Sequence, residues 1–204
     1  MKHKIFSSIA TLALGCLGLS SCSLDEYNPS AGNATLESPE TWKGMQAYCY
    51  STLYHELYSK IDFLILSECG TDLWLNPAGT EYASQVFYYD GLGVERSEPQ
   101  KTWQQAYSVI ATCNSVIKNA SKVSGLDDET KSVLCAEAKT IRAFMHLTLA
   151  TYFGPITLVE TEVGTVNKTP TRSSLAEVYA SIIADLTDAA GSLKDTPYEG
   201  NYGR

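Results

Sequence analysis

Three stretches of this chain carry apolar residues at steps of three and four, each with its own start and stop signals. That pattern commits most of the chain to α-helix. The first stretch opens at Ser97-Glu98-Pro99-Gln100, which reads as a capping box. Its face is Trp103, Ala106, Tyr107, Ile110, Cys113, Ile117 and Ala120, and Gly125 lies beyond its end. The second opens at Asp127 and Asp128, whose carboxylates suit the positive end of a helix dipole. Its face is Leu134, Ala138, Ile141, Met145, Leu149 and Tyr152. Gly154-Pro155 stops it with an αL-tolerant residue and then a helix breaker. The third follows Ser174-Leu175-Ala176-Glu177, another capping box, along Leu175, Val178, Tyr179, Ile182, Leu186, Ala189 and Leu193. An earlier helix is expected from Ser38-Pro39-Glu40 to about Tyr58, with Ser capping and Pro at N1. Ile61 to Leu66 either extends it or forms a separate segment, and Ile156 to Val159 reads as a short extended piece. Two helices joined by a short turn make an antiparallel hairpin, and stacked hairpins make a solenoid. No repeat consensus is matched, so the residues themselves support an all-α array of helical hairpins.

Gly70 to Arg96 interrupts this pattern. It holds Pro77, several glycines and the aromatics Trp74, Tyr82, Phe87, Tyr88 and Tyr89. Connectors of that length are usually functional. Flat aromatic faces suit sugar C–H groups, and Asn or Asp supplies directional partners for hydroxyls. Trp74, Asn76, Tyr82 and Tyr88 are the candidate ligand contacts, with Asp72 as polar support. The competing reading is that the same rings pack the loop onto the helices.

The N-terminus is an address. Lys2, His3 and Lys4 precede an apolar stretch from Ile5 to Leu19, too short to span a bilayer and suited to a removable leader. Leu19-Ser20-Ser21-Cys22 then has the form of a lipobox. Residues 1–21 are read as a lipoprotein signal peptide, Cys22 as the lipidated residue and 22–36 as a polar tether. The helical region is expected over 37–204. Several acyl chains on one cysteine give durable membrane attachment.

The formal charge is −8, and losing Lys2 and Lys4 with the leader makes the rest more acidic still. An acidic surface repels phosphate backbones, so nucleic acid is excluded as a partner. Once Cys16 and Cys22 are set aside, Cys49, Cys69, Cys113 and Cys135 remain, and four cysteines allow three pairings. Buried free thiols at helical positions are the simpler reading. His55 and His146 lie on separate expected helices without carboxylate or cysteine at ligand spacing, so no metal or other cofactor is expected. No nucleophile elbow, P-loop or dinucleotide fingerprint occurs, and no catalytic residue is assigned.

Short matches occur in order along almost the whole chain. They are Cys22 with Leu24-Asp25-Glu26 and Pro29; Glu68 with Thr71-Asp72-Leu73-Trp74; and Trp103, Tyr107, Ile110, Cys113-Asn114 and Val116-Ile117. They continue with Ala136-Glu137-Ala138 and Ile141-Arg142-Ala143-Phe144, then Tyr152-Phe153-Gly154-Pro155-Ile156. Pro170, Arg172-Ser173-Ser174, Val178-Tyr179, Ile182, Asp185-Leu186, Ala189 and Gly203-Arg204 complete the series. Together they resemble the N-terminal part of the SusD-like (RagB/SusD) outer-membrane lipoproteins. The resemblance implies a right-handed solenoid of tetratricopeptide-like hairpins and a chain truncated relative to its relatives. A solenoid without its terminal cap exposes an apolar face, so marginal stability is expected. The resemblance also implies a surface lipoprotein that captures glycans and hands them to a SusC-like TonB-dependent transporter, without cleaving them. Branches that bind peptides, and a purely structural helical adaptor, are the alternatives.

Overall fold

The most enclosed helix carries an arginine and a histidine among its buried residues, and the other elements are arranged around it. The computed structural model describes residues 38–53, 66–73, 87–89, 93, 95, 97–164 and 169–193. The chain divides into two compact units, Met1–Asn33 and Ala34–Arg204, and every described residue belongs to the second. The expected leader, Cys22 and the tether lie outside the described residues.

Four helices are defined among the described residues. They are α1 (Pro39–Thr52), α2 (Ser97–Asn119, continued by a 3-10 turn Ala120–Lys122), α3 (Asp128–Phe153) and α4 (Leu175–Ala190). The chain is mostly helical, and the described residues contain no strand, only an antiparallel bridge between Ile156 and Ser173. None of the described helices is long and apolar enough to cross a membrane.

The caps follow from local chemistry. Ser38 accepts a hydrogen bond from the Thr41 amide at 3.2 Å, with Pro39 at the first helical position. Asp127 accepts from the Thr130 amide at 2.7 Å. Ser174 and Glu177 form a reciprocal capping box, and the Glu177 carboxyl is held below its usual range by those hydrogen bonds. Gly154 closes α3 at φ +71°. At α2 the helix begins at Ser97 itself, so Ser97 is a first-turn residue and not the cap expected of it.

Helix α3 lies between α2 and α4, and α1 packs on both α2 and α3. Ala136, Ala138, Ala143 and Ala150 are buried along α3, and small side chains let neighbouring helices approach closely. Trp42 of α1 is fully buried and donates its indole N–H to the Val116 carbonyl at 2.9 Å. Gln46 donates to the buried Glu137 carboxylate at 2.9 Å. Trp103 and Tyr107 are half-buried, 4.9 Å apart between ring centroids, with Phe153 edge-on to Trp103 at 5.0 Å.

The face of α4 differs from expectation. It buries Val178, Ser181, Ile182, Asp185 and Ala189. Leu175, Tyr179, Leu186 and Leu193, expected on the buried face, are 39%, 42%, 43% and 38% exposed, and Ile183 is 63% exposed. The cause is Asp185. Arg142 donates to it twice, Nε to Oδ2 at 2.8 Å and Nη2 to Oδ1 at 2.6 Å, with both side chains buried. A two-point contact of this kind fixes orientation as well as distance. It turns α4 so that the carboxylate faces inward, at the expense of part of the apolar stripe.

The same arginine organises the segment after α3. Its Nη1 donates to Asn114 Oδ1 at 2.6 Å and to the Glu160 carbonyl at 2.7 Å. Since Arg only donates, Asn114 must present its oxygen there and its NH2 elsewhere. That NH2 reaches the Val159 and Thr161 carbonyls at 3.0 and 3.2 Å. Tyr107 donates to the Thr157 carbonyl at 2.7 Å, and burial pushes its phenol up to about 12. Side chains of α2 and α3 thus supply hydrogen bonds that a neighbouring strand would otherwise give.

Replacing Arg142 by Met leaves Asp185 buried and unpaired, at an expected cost of about 3–5 kcal/mol. Adding Asp185→Leu is expected to recover part of that loss. Chemical denaturation of the two variants beside the unaltered protein checks both, and a loss below about 1 kcal/mol for the first would contradict the role given to the pair.

His146 is fully buried, and neither ring nitrogen has a hydrogen-bond partner among the described residues. Burial and the nearby Arg142 charge lower its pKa to about 4, against smaller opposing effects of Asp185 and Glu160. Below the unfolded-state value near 6.5 the unfolded chain takes up a proton that the folded chain refuses until about pH 4. Stability is therefore expected to fall by about 3 kcal/mol between those limits on this account alone. His146→Met is expected to flatten that part of the stability–pH profile. An unchanged slope would show that His146 does not control it.

Candidate functional site

The loop expected to bind ligand is pinned at both ends. Residues 66–68 are helical, and the Thr71 hydroxyl donates to the Glu68 carbonyl at 2.7 Å while accepting from the Leu73 amide at 3.3 Å. Between them Gly70 turns the backbone at φ +82°, a region that side chains disfavour. The Tyr89 hydroxyl donates to the Gly70 carbonyl at 3.4 Å, and Tyr89 itself sits at φ +56°. A Cβ added at Gly70 would run into the Tyr89 ring. Residues 70 and 89 are thereby joined.

Of the expected contacts, Asp72 is exposed beside this junction and Tyr88 is 62% exposed, edge-on to Phe87 at 4.8 Å and 85°. Trp74, Asn76 and Tyr82 lie outside the described residues. The arrangement offers an exposed ring with a carboxylate at the other end of the loop, a combination suited to weak, directional binding of a polyhydroxylated ligand. Among the described residues no group of three or more His, Cys, Asp or Glu side chains is placed to hold a metal ion.

A second concavity was not foreseen from the sequence. A cleft of about 390 Å³ lies beside the buried arginine network, lined by Asn114, Ile117, Lys118, Glu160, Thr161 and Glu162. Its volume falls in the range of small-ligand sites. Its polar groups already engage one another or their neighbours. Lys118 pairs with Glu162 at 2.8 Å, Ser115 donates to Glu162 at 2.9 Å, and Ser181 donates to Glu160 at 2.6 Å. Lys118, then Ser115, hold the Glu162 carboxyl below its usual range. Asn114 is saturated by Arg142 and two carbonyls. The cleft is built to hold the 157–162 segment against α2, and no local motif marks it in the sequence.

A family model described as starch-binding and associating with the outer membrane matches residues 24–204. SusD-like protein P2 of Formosa agariphila is 38% identical over 103 residues, covering 47% of this chain and 19% of that protein. A SusD-like protein from Bacteroides fragilis superposes with a TM-score of 0.72 at 21% identity, over 86% of this chain and 34% of that one. A laminarin-binding SusD-like protein gives 0.65 at 16% identity, over 78% and 35%. A protein crystallised with xylogluco-oligosaccharide gives 0.61 at 20% identity, over 79% and 31%. This chain therefore spans about a third of these solved relatives. At such identities the superpositions establish a shared fold, that of the helical-hairpin SusD scaffold. The match over residues 24–204 goes further: the chain belongs to the SusD-like family, described as starch-binding and associated with the outer membrane.

Proposed function

We propose that the chain is the N-terminal part of a surface-exposed lipoprotein of the outer membrane, anchored through Cys22, that binds glycans and delivers them to a SusC-like TonB-dependent transporter. On this reading 1–21 is the cleaved leader, 22–36 the tether and 37–204 the helical region. The protein binds and does not cleave.

The observation that carries this reading is the aromatic loop held closed at Gly70 and Tyr89, with Tyr88 turned to solvent. The family description as starch-binding, a neighbour described as laminarin-binding and another crystallised with xylogluco-oligosaccharide support a glycan as the ligand class. Asp72, Trp74, Asn76, Tyr82 and Tyr88 are the proposed contacts. Rings stack on sugar faces, while Asp72 and Asn76 read hydroxyls.

A retention screen of the full-length protein against glycans and peptides tests this. One glycan class is expected to be held, and Trp74→Ala or Tyr88→Ala is expected to weaken it at least tenfold, roughly 1.4 kcal/mol. Retention unaffected by either change would remove the site from this loop. Peptide retention alone would move the protein to a peptide-binding role, and appearance of cleaved glycan would make it an enzyme.

Gly70→Ala touches no proposed ligand contact. It places a side chain at positive φ, costing about 1–2 kcal/mol, and against the Tyr89 ring. Faster proteolysis between residues 71 and 88 is expected, together with weaker glycan retention. Unchanged proteolysis would mean that the Gly70–Tyr89 closure does not order the loop.

A further inference from the structure

We propose that Cys49 and Cys113 form a disulfide that joins α1 to α2. Four cysteines outside the leader and anchor allow three pairings. Cys49 and Cys113 are the pair that the fold brings into sulfur–sulfur contact. Their Sγ atoms are 3.7 Å apart, both side chains are fully buried, and both belong to the hydrophobic core. Cys69 and Cys135 are only half-buried. All four are free thiols in this structure. A disulfide needs an S–S distance of about 2 Å with a dihedral near 90°, so the sulfurs must close by roughly 1.7 Å. The contact spans two packed helices and 64 residues of sequence.

The oxidant is a second disulfide, on a small molecule or on a protein that exchanges disulfides outside the cytoplasm. One cysteine thiolate attacks it and releases the first oxidant sulfur as a thiol. The other cysteine then attacks the protein sulfur of the mixed disulfide and releases the second. The two cysteine protons end on the released thiols, and the electron pair reduces the oxidant's S–S bond. The family's association with the outer membrane places that chemistry in a compartment that permits it.

Burial sets the timing. In the folded protein the Cys113 thiol is held protonated, by its hydrogen bond with Cys49 first and by burial second. Neither sulfur can be reached from solvent. Exchange therefore belongs to the folding chain, before α1 closes on α2, and the closed helices then shield the bond from reductant. The bond also brackets residues 70–96, so the aromatic loop would be carried between two covalently joined helices.

The test is to unfold and reduce the full chain, refold it with oxidised and reduced glutathione, and block remaining thiols with N-ethylmaleimide in denaturant. Helicity is followed by circular dichroism. The helical product is expected to take up two fewer maleimides, to yield a Cys49–Cys113 cross-linked peptide, and to melt at a higher temperature than the reduced protein. Cys113→Ala should abolish that peptide and Cys135→Ala should leave it. A helical product that alkylates at every cysteine overturns the proposal. So does a cross-link from Cys49 or Cys113 to Cys69 or Cys135.

Discussion

The guanidinium of Arg142 is the constraint on which the described fold turns. It sits almost fully buried and spends its donors on Asp185, Asn114 and the Glu160 carbonyl. A charge in that position is tolerable only when every partner is present at once. Asp185 reports on α4, Asn114 on α2, and the Glu160 carbonyl on the segment between α3 and α4. None of these can shift without leaving a donor or acceptor stranded, so one side chain couples three helices and a connector. Apolar burial supplies most of the driving force, but it is indifferent to a small rotation of α4. The ion pair is not.

The helices were readable because their signals are local. Ser38, Asp127, Gly154 and Ser174 act within one turn of themselves, and the structure uses each as the sequence suggests. The face of α4 departs from its apolar pattern for the converse reason. Counting apolar residues ranks Leu175, Tyr179 and Leu186 above Asp185, and only the distant Arg142 reverses that order. Arg142 pairs with Asp185 on another helix, while Glu137 on its own helix meets Gln46. In the candidate loop, composition points to Asp72, Trp74, Asn76, Tyr82 and Tyr88; Asp72 and Tyr88 are exposed, and the other three lie outside the described residues. Its closure was invisible, because Gly70 and Tyr89 are adjacent only in space. The cleft beside Asn114 escaped for the same reason.

The relatives separate fold from ligand. Identities of 16–21% accompany TM-scores of 0.61–0.72, so the hairpin packing persists while most side chains change. A scaffold that tolerates this must keep its recognition chemistry off the packed faces. Surface loops between helices meet that requirement in general.

The stretch from Thr157 to Thr161 is held through its carbonyl oxygens, by Tyr107, Asn114 and Arg142. Every amino acid carries a carbonyl, proline included. The path of this stretch is therefore encoded largely in three residues elsewhere, with Val159 against the core and the Glu160 carboxylate bonded to Ser181 as its own contribution. The side chains of Thr157, Leu158 and Thr161 can change without removing any of these carbonyl bonds. In evolutionary terms it is a rewritable strip on a fixed mount, where surface chemistry can drift quickly while Tyr107, Asn114 and Arg142 stay under constraint.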